Sequence, residues 1–588
     1  GAVTIVTAGT LRGTVSSGNS LVGANPGDLL GNSITHLGGT NWAVSSANAG
    51  LGSLTVLHGG VRTTGVVSAS NSVVGSTSGD AIGNGGLFQV GASNTWALTS
   101  NSWNGGVGAI TWINSTATPT GAVSASNSLV GAVVGDLGNG GGQLGTLGSG
   151  RFLLFSENGG AGAVTYISAS SLPTGVVDSS NSLVGSLSTD RIGHDANGGS
   201  RNFDIINGKF YIYSPTWNNS AGAVTAGDVA TGLTPGVVSS SNSLVGASSG
   251  DLVGDSQIVN TGFGFGLLRS DNGGAGAVTA IDFSAPPTGT IGAGNSLVGG
   301  DSRDNVGSGG FTSLGGGTYS IQSPTWTAPG NKTDAGAVTL FNAATGTFNG
   351  TAASLAGVLD ASNSLVGTET NDQIGSAGVG YAYSNTTDNI FVVSSPLWDD
   401  TPSVPDVGAL TWFKLSDSLT GAVSSANSLV GSAPNDQIGN STSIPGLFSS
   451  DFGVYQLFSS GNSSALVYSA TANSGGGAVV FLNGGNAPLT GSINSGNALI
   501  GGAAGDAIGS NGIFEVGGGK FVVLSPNLDQ FSSTDVGAIT VGDVNGGVSG
   551  LVDSSNSLVG DTSGDAVGSR SPDFLDSGTV LFRSPNWH

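Results

Sequence analysis

Cysteine and methionine are both missing from the 588 residues. Without cysteine there is no disulfide framework, no thiolate nucleophile and no sulfur ligand for a metal. Loss of both oxidisable sulfur side chains suits an extracellular setting, and a chain with no Met at all is expected to be a processed product or a segment of something longer. Charge is scarce too: 8% of the residues are Asp, Glu, Lys or Arg, against about 25% in an ordinary soluble domain. What remains is one-sided, 36 acidic residues to 13 basic, a net charge of −23. That balance argues against nucleic acid, whose binding rests on Lys and Arg neutralising phosphates, and against anionic membrane surfaces. No uninterrupted apolar run approaches the roughly 20 residues of a transmembrane helix, and no helical apolar period of useful length is visible.

Glycine is abundant instead, at 106 residues, among many Ser, Asn and Thr, yet 37% of the chain is apolar. Disordered chains are poor in hydrophobes, so this composition belongs to a folded protein. Its organisation is an internal repeat, the feature to be sought before any other. An Asn recurs as Asn19, Asn71, Asn127, Asn181, Asn242, Asn295, Asn363, Asn427, Asn497 and Asn556. An Asp follows each at nine positions' distance: Asp28, Asp80, Asp136, Asp190, Asp251, Asp304, Asp372, Asp436, Asp506 and Asp565. A register held ten times out of ten marks a structural unit. Each unit buries its core only against its neighbours, so the expectation is one array over 1–588, with repeats starting near 1, 52, 108, 162, 222, 276, 336, 408, 477 and 537.

Each copy has four parts: Gly-Ala-Val-Thr or a variant, as Gly222-Ala223-Val224-Thr225; Asn-Ser-Leu-Val-Gly; Asp-x-(Ile/Leu/Val)-Gly, shortened at Asp136-Leu137-Gly138; and a run closing on Ser-Pro-x-Trp, as Phe210-Tyr211-Ile212-Tyr213-Ser214-Pro215-Thr216-Trp217. The apolar runs are short, β-branched or aromatic, and bounded by Gly, Asn, Ser and Pro, which reads as strand throughout. Adjacent apolar residues such as Leu183 and Val184 point to opposite faces of a strand, so both faces must be covered. Four short strands per unit, stacked about 10 Å apart, is what a propeller blade requires. The Pro of Ser-Pro-x-Trp marks a strand end. The repeated Asn tolerates left-handed turn geometry, and the repeated Asp can accept backbone N–H bonds in an Asx-type turn, so all twenty residues are expected to be structural.

The order Leu-x-Gly, Asp-x-(Phe/Ile)-Gly, an apolar strand ending in a Gly-Ala-Pro-like corner, then Gly-Ala-Val-(Tyr/Thr) resembles the FG-GAP repeat of integrin-α-type β-propellers. Here it stands as Val184-Gly185, Asp190-Arg191-Ile192-Gly193, Tyr211-Ile212-Tyr213-Ser214-Pro215 and Gly222-Ala223-Val224-Thr225, with Ser-Pro in place of Ala-Pro. The Gly/Asn/Ser-rich flavour also looks like the repeats of large secreted bacterial haemagglutinin-like exoproteins. The FG-GAP resemblance implies an all-β propeller of ten four-stranded blades, with the Asp-x-Phe-Gly strand innermost. It also implies that the chain begins at a third strand and ends in a second, so that N-terminal and C-terminal strands complete one blade, within one chain or between copies. The calcium loop of that family is not carried over: Ile206-Asn207-Gly208-Lys209 and Val516-Gly517-Gly518-Gly519-Lys520 lack the carboxylates that Ca²⁺ needs, and Asp543-Val544-Asn545-Gly546-Gly547 falls in another part of the repeat.

The search for chemistry is short. His36, His58, His194 and His588 sit at non-equivalent positions, the acidic pairs Asp301/Asp304 and Asp399/Asp400 lie in ordinary loops, and the Gly-x-Ser-x-Gly at Gly246–Gly250 is one copy of the repeat turn. No catalytic residue, metal or cofactor is expected. The reading is a non-enzymatic, extracellular structural or adhesive protein of a surface, matrix or filament, whose partners are other copies of itself or cell-surface components. The alternative is a glycan-binding propeller using the corner residues Trp217, Trp326, Trp398 and Trp587, because bound sugars stack on exposed indoles; packing between blades competes for the same rings.

Overall fold

The computed structural model describes residues 1–588 apart from 7–11, 47–49, 92–93, 139–141, 196–200, 350–355, 385–387, 441–453, 458–463, 484–487 and 576–578. The chain is all-β and forms two compact units. One comprises Gly1–Ile258 with Leu268–Gly273 and Asp282–Ile291; the other comprises Val259–Leu267, Gly274–Ile281 and Gly292–His588.

The first unit holds four five-stranded sheets and one of three strands. In a representative sheet the hairpin Phe203–Ile206 and Lys209–Ser214 comes first, then Ala223–Asp228, then Leu244–Val245. The hairpin turns on Asn207-Gly208, with φ of 50° and 78°, the pair of left-handed residues that a type I′ turn needs. Ser214 lies opposite Ala223, so Pro215 falls just beyond the ladder. Ala223 in turn lies opposite Val245. A fifth strand, Gly289–Thr290, pairs in parallel with Leu244–Val245 and comes from the following repeat.

Four strands per repeat was the expectation; the sheets have five because each borrows a two-residue strand. The same parallel pairing completes nine sheets in the two units, from Gly65–Val66 beside Leu21–Val22 to Gly550–Leu551 beside Leu499–Ile500. A second difference concerns Asp-x-(Ile/Leu/Val)-Gly, expected as the innermost strand. It is a turn that touches the sheet only through isolated bridges such as Gly222 to Val253. The residue after the Asp is left-handed, as at Arg191 (φ 46°) and Leu252 (φ 52°), and that conformation cannot continue a strand.

The second unit holds three five-stranded sheets, a sheet of six that adds Thr347–Phe348, a sheet of four ending on Ser557–Val559, and the hairpin Asp573–Phe574 with Val580–Leu581. Among the described residues helix is limited to single turns at repeat corners, among them Trp103–Gly106, Trp217–Ser220 and Ala472–Gly475.

Each core lies between neighbouring sheets. Leu183 joins Phe155 and Val164 against Phe210, Ile212 and Val245 of the next sheet. Val184, on the other face, joins Leu154 and Ala163 against Ala97, Ile110 and Leu129 of the preceding one. In the second unit Leu499 and Tyr468 pack in the same way against Phe521 and Val523. Burial on both faces explains why these strands read as continuous apolar runs rather than alternating ones.

Candidate functional site

The twenty repeated residues build a joint between consecutive sheets, and its geometry starts from the Asp. In the Asp190 copy, Oδ2 accepts the backbone N–H groups of Ser186 at 2.7 Å and Leu187 at 2.9 Å, while Oδ1 accepts that of Asn218 at 2.9 Å. The Asp190 carbonyl accepts the Thr216 hydroxyl. A fully buried carboxylate thereby pins its own turn to the corner that follows the next hairpin. The left-handed Asn218 and Asn219 of that corner aim the N–H at it. Gly185 is required by close approach: a Cβ there would lie 2.4 Å from the Ala161 carbonyl oxygen and 2.7 Å from the Asp190 Cβ.

The arrangement recurs. Asp80 takes Ser76, Thr77 and Asn104; Asp136 takes Ala132, Val133 and Gly159; Asp304 takes Gly300, Asp301 and Thr327. Asp372 takes Thr368, Glu369 and Asp399; Asp436 takes Ser432, Ala433 and Ser474; Asp506 takes Gly502, Ala503 and Asp529. Asp565 takes Asp561, Thr562 and His588; Asp251 takes Ala247 and Ser248; Asp28 takes Asn25. Charge-assisted bonds of this kind are about twice as strong as neutral ones. At Asp372, burial pushes the carboxyl up to about 6 against its three backbone donors, and the nearby Asp399 charge adds to the rise.

The Asn does different work. Asn181 Nδ2 donates to the Val176 carbonyl at 2.9 Å, and its Oδ1 accepts from the Asp178 N–H and the Ser182 hydroxyl. Val176 belongs to the borrowed strand Gly175–Val176, so the Asn occupies a carbonyl on its free edge and blunts it. The same side-chain bond holds Asn19 to Thr14, Asn71 to Val66, Asn127 to Ala122, Asn242 to Val237, Asn363 to Val358, Asn427 to Ala422, Asn497 to Ser492 and Asn556 to Leu551. Asn295 occupies the equivalent place after Gly289–Thr290, its Oδ1 accepting from Gly292 N–H and Ser296.

Behind the Asn, in all but one repeat, lies a buried or half-buried pair of hydroxyls. Thr165 of Gly-Ala-Val-Thr meets Ser182 of Asn-Ser-Leu-Val-Gly at 2.6 Å, and the Ser182 hydroxyl donates to Asn181 Oδ1. Thr55–Ser72, Thr111–Ser128, Thr225–Ser243, Thr279–Ser296, Thr339–Ser364, Thr411–Ser428 and Thr540–Ser557 repeat it. One repeat has Val480 opposite Ala498 instead, both in the apolar core.

Two of these features were missed in the sequence although their signals stand there. A Gly stands six positions before every repeated Asn, from Gly13 to Gly550, with φ between 95° and 153°, and from Gly65 onward it begins the borrowed strand. The hydroxyl pair shows itself in the one repeat where both members turn apolar together.

Of the corner tryptophans, Trp326 and Trp398 are buried in inter-sheet cores and Trp217 is packed against one. Trp587, 63% exposed, is the one of the four with an open ring face. The candidate acids are occupied locally: Asp301 pairs with Arg303 and Asp399 accepts the Asp406 N–H. Asp543 pairs with Lys520, whose hydrogen bond holds the carboxyl below its usual range. His194 is buried with Nδ1 on the Ile192 carbonyl, His58 bonds Asn41, and His36 lies against Trp42. Among the described residues no three His, Asp or Glu side chains gather as a metal-ligand set.

The fold and this joint define an all-β repeat protein. The chain belongs to the family described as "Repeat of unknown function (DUF5650)", whose profile matches ten segments: 1–32, 38–84, 92–139, 156–194, 205–255, 270–308, 313–376, 385–440, 465–510 and 515–569. No curated protein matches. Among solved structures it is similar to one described under "Structural and Mechanistic Analysis of Two Prolyl Endopeptidases: Role of Inter-Domain Dynamics in Catalysis and Specificity", at 12% identity and a TM-score of 0.20. The match covers 61% of this chain and 46% of that one, so the chain spans less than half of that protein's length.

Proposed function

We propose that this protein is a non-enzymatic structural or adhesive array of the cell exterior, built of propeller-type blades like those of FG-GAP repeats. The observation that carries the reading is the joint: nine sheets are finished by a strand from the following repeat, and buried carboxylates tie the turn that leaves one sheet to a corner of the next. Repeats that finish one another form a continuous load-bearing path. Polar uncharged loops keep the array soluble, and the joint is of a kind that can also operate between copies by strand addition.

The test is to extend single molecules by their ends. Successive unfolding steps of one repeat each, about 50 to 70 residues or roughly 180 to 250 Å at full extension, are expected. A chain that yields at negligible force, or in one all-or-none rupture, would overturn a load-bearing role. A glycan-binding role has one supporting observation, the open ring of Trp587. A glycan array probed with the chain and with Trp587→Ala tests it: binding lost in the variant would favour that second role.

A further inference from the structure

One interface between sheets departs from the packing of the others, and the departure leaves a cleft. It lies in the first unit, between the sheet of Ser33–Gly38, Asn41–Ser46 and Ser53–His58 and the sheet of Gly86–Gln89 and Thr95–Ser100. Both sheets have all five strands, so nothing beyond either end of the chain would close it. Two joints further on, the same place is filled by rings. Phe155 stands 5.5 Å from Phe203 and 6.3 Å from His194, centroid to centroid. By register Ser45 takes the place of Phe155, lying opposite Leu54 as Phe155 lies opposite Val164. Leu87 takes that of Phe203, opposite Leu98 as Phe203 is opposite Ile212. Asn84, four residues after Asp80, takes that of His194, four after Asp190. In the intervening joint Phe88, opposite Ala97, packs at 6.2 Å on Phe152, where this one has Thr35 opposite Ala43. Smaller side chains at positions that carry rings elsewhere leave about 270 Å³ open.

The floor of the cleft is Ala43, Leu54 and Leu98, all buried. Ser33, directly opposite Ser45, and Thr35 line one side. Among the described residues none of the Ser33, Thr35 and Ser45 hydroxyls has a protein partner. The other side is the turn 83–86, where Asn84 is fixed by its own bonds. Its Oδ1 accepts the Asn101 N–H at 2.7 Å and its Nδ2 donates to the Ser102 hydroxyl at 2.6 Å, which leaves the second Nδ2 hydrogen to donate. Among the described residues no charged side chain lines the space. A ring-sized gap with an apolar floor, free hydroxyls and a carboxamide at its walls matches a pyranose, which has a C–H face and a rim of hydroxyls that both donate and accept. We propose that this cleft binds one neutral hexose ring, the exposed end of a glycan. The floor takes the C–H face, Ser33, Thr35 and Ser45 exchange hydrogen bonds with the sugar hydroxyls, and Asn84 donates to one of them. A gap below the roughly 300–1,000 Å³ of pockets for drug-sized ligands limits the occupant to a single ring. The site shares no residue with the repeated joint or with Trp587, so it stands or falls apart from both.

The experiment is saturation-transfer NMR of the full chain with the methyl glycosides of glucose, galactose and mannose, repeated on Ser45→Phe and Thr35→Val. About a dozen non-hydrogen atoms at ordinary ligand efficiency give a dissociation constant of about 1 mM, which this method reads. Transfer to at least one glycoside is expected from the parent. It is lost in Ser45→Phe, which restores the ring that the other joint carries. Thr35→Val deletes one hydroxyl at nearly constant shape and weakens binding about fivefold. Amide exchange of the parent locates the sugar without any substitution: slower exchange on adding the bound glycoside is expected at 83–86 and along Ser33–Gly38. Transfer to none of the three, transfer unchanged in Ser45→Phe, or protection elsewhere would overturn the proposal. Transfer lost in Trp587→Ala and kept in Ser45→Phe would assign sugar binding to the exposed indole and overturn it too. Benzyl alcohol bound in the cleft with no sugar would do the same, by making the occupant an aromatic side chain. A chain that binds no glycoside yet unfolds repeat by repeat under force refutes this site and leaves the structural reading standing.

Discussion

Replacing Ser182 with Ala strands the Thr165 hydroxyl. Both residues are fully buried and 2.6 Å apart. Since the Ser182 proton goes to Asn181 Oδ1 at 2.8 Å, the proton between the two hydroxyls belongs to Thr165. The Ala variant leaves that donor with no acceptor, at a cost of about 1–3 kcal/mol. Replacing Thr165 with Val instead removes the donor, and Ser182 keeps Asn181 as its acceptor, so the cost is about 1 kcal/mol. Making both changes reproduces the Val480–Ala498 pair that another repeat already uses. Removing both partners with the shape kept is close to neutral, so the double variant should cost less than Ser182→Ala alone, with a coupling of about 1–2 kcal/mol. Local stability is the quantity to measure, because arrays do not unfold as one unit; amide hydrogen exchange along Ala163–Ile167 reports it. The reciprocal experiment runs in the apolar repeat, where Val480→Thr destabilises and Val480→Thr with Ala498→Ser recovers. Strictly additive costs in either repeat would refute the reasoning.

Asp190→Ala leaves the N–H groups of Ser186, Leu187 and Asn218 without their acceptor, and a local loss of about 3 kcal/mol or more is expected, read as rapid exchange of the Asn218 amide and proteolysis within 216–221. Ala507 follows Asp506 at φ 44°, a conformation costing a non-glycine residue about 1 kcal/mol; Ala507→Gly should therefore raise local stability, seen as slower exchange in Ala498–Ile500. The Asp372 carboxyl, at about 6 in the fold against its ordinary 3.8, binds its proton more tightly folded than unfolded. Its contribution is thus complete below about pH 4 and is lost as pH rises through 6, a difference of roughly 3 kcal/mol. In Asp372→Asn the exchange of neighbouring amides should lose that pH dependence.

Strand content, the ends of strands at Ser-Pro and the two-faced burial of Leu183 and Val184 were legible because they depend on side-chain type and local alternation. The ten segments were legible from the fixed distance between Asn and Asp. The fifth strand was not. Gly175–Val176 is two residues long, too short for any periodicity, and its pairing with Leu129–Val130 lies across a repeat boundary that the eye places between units. The turn at Asp-Arg191-Ile192-Gly was hidden for another reason: Arg191 has no intrinsic preference for left-handed geometry and is held in it by the bonds of its own N–H to the Gly160 carbonyl and of Ile192 N–H to the Ala161 carbonyl. Carboxylate and carboxamide could be assigned to turns from their types, but not to cross-ties, since Asn218 lies 28 residues beyond Asp190 and the Val176 carbonyl becomes a free edge only through pairing with the preceding repeat.

The borrowed strand makes the inherited unit and the folded unit out of phase. Any in-frame gain or loss of whole repeats joins a donor segment to an acceptor edge of the same kind as before, so recombination between copies produces longer or shorter arrays whose every joint is already a working one. Length in such a protein can drift while the fold stays constant.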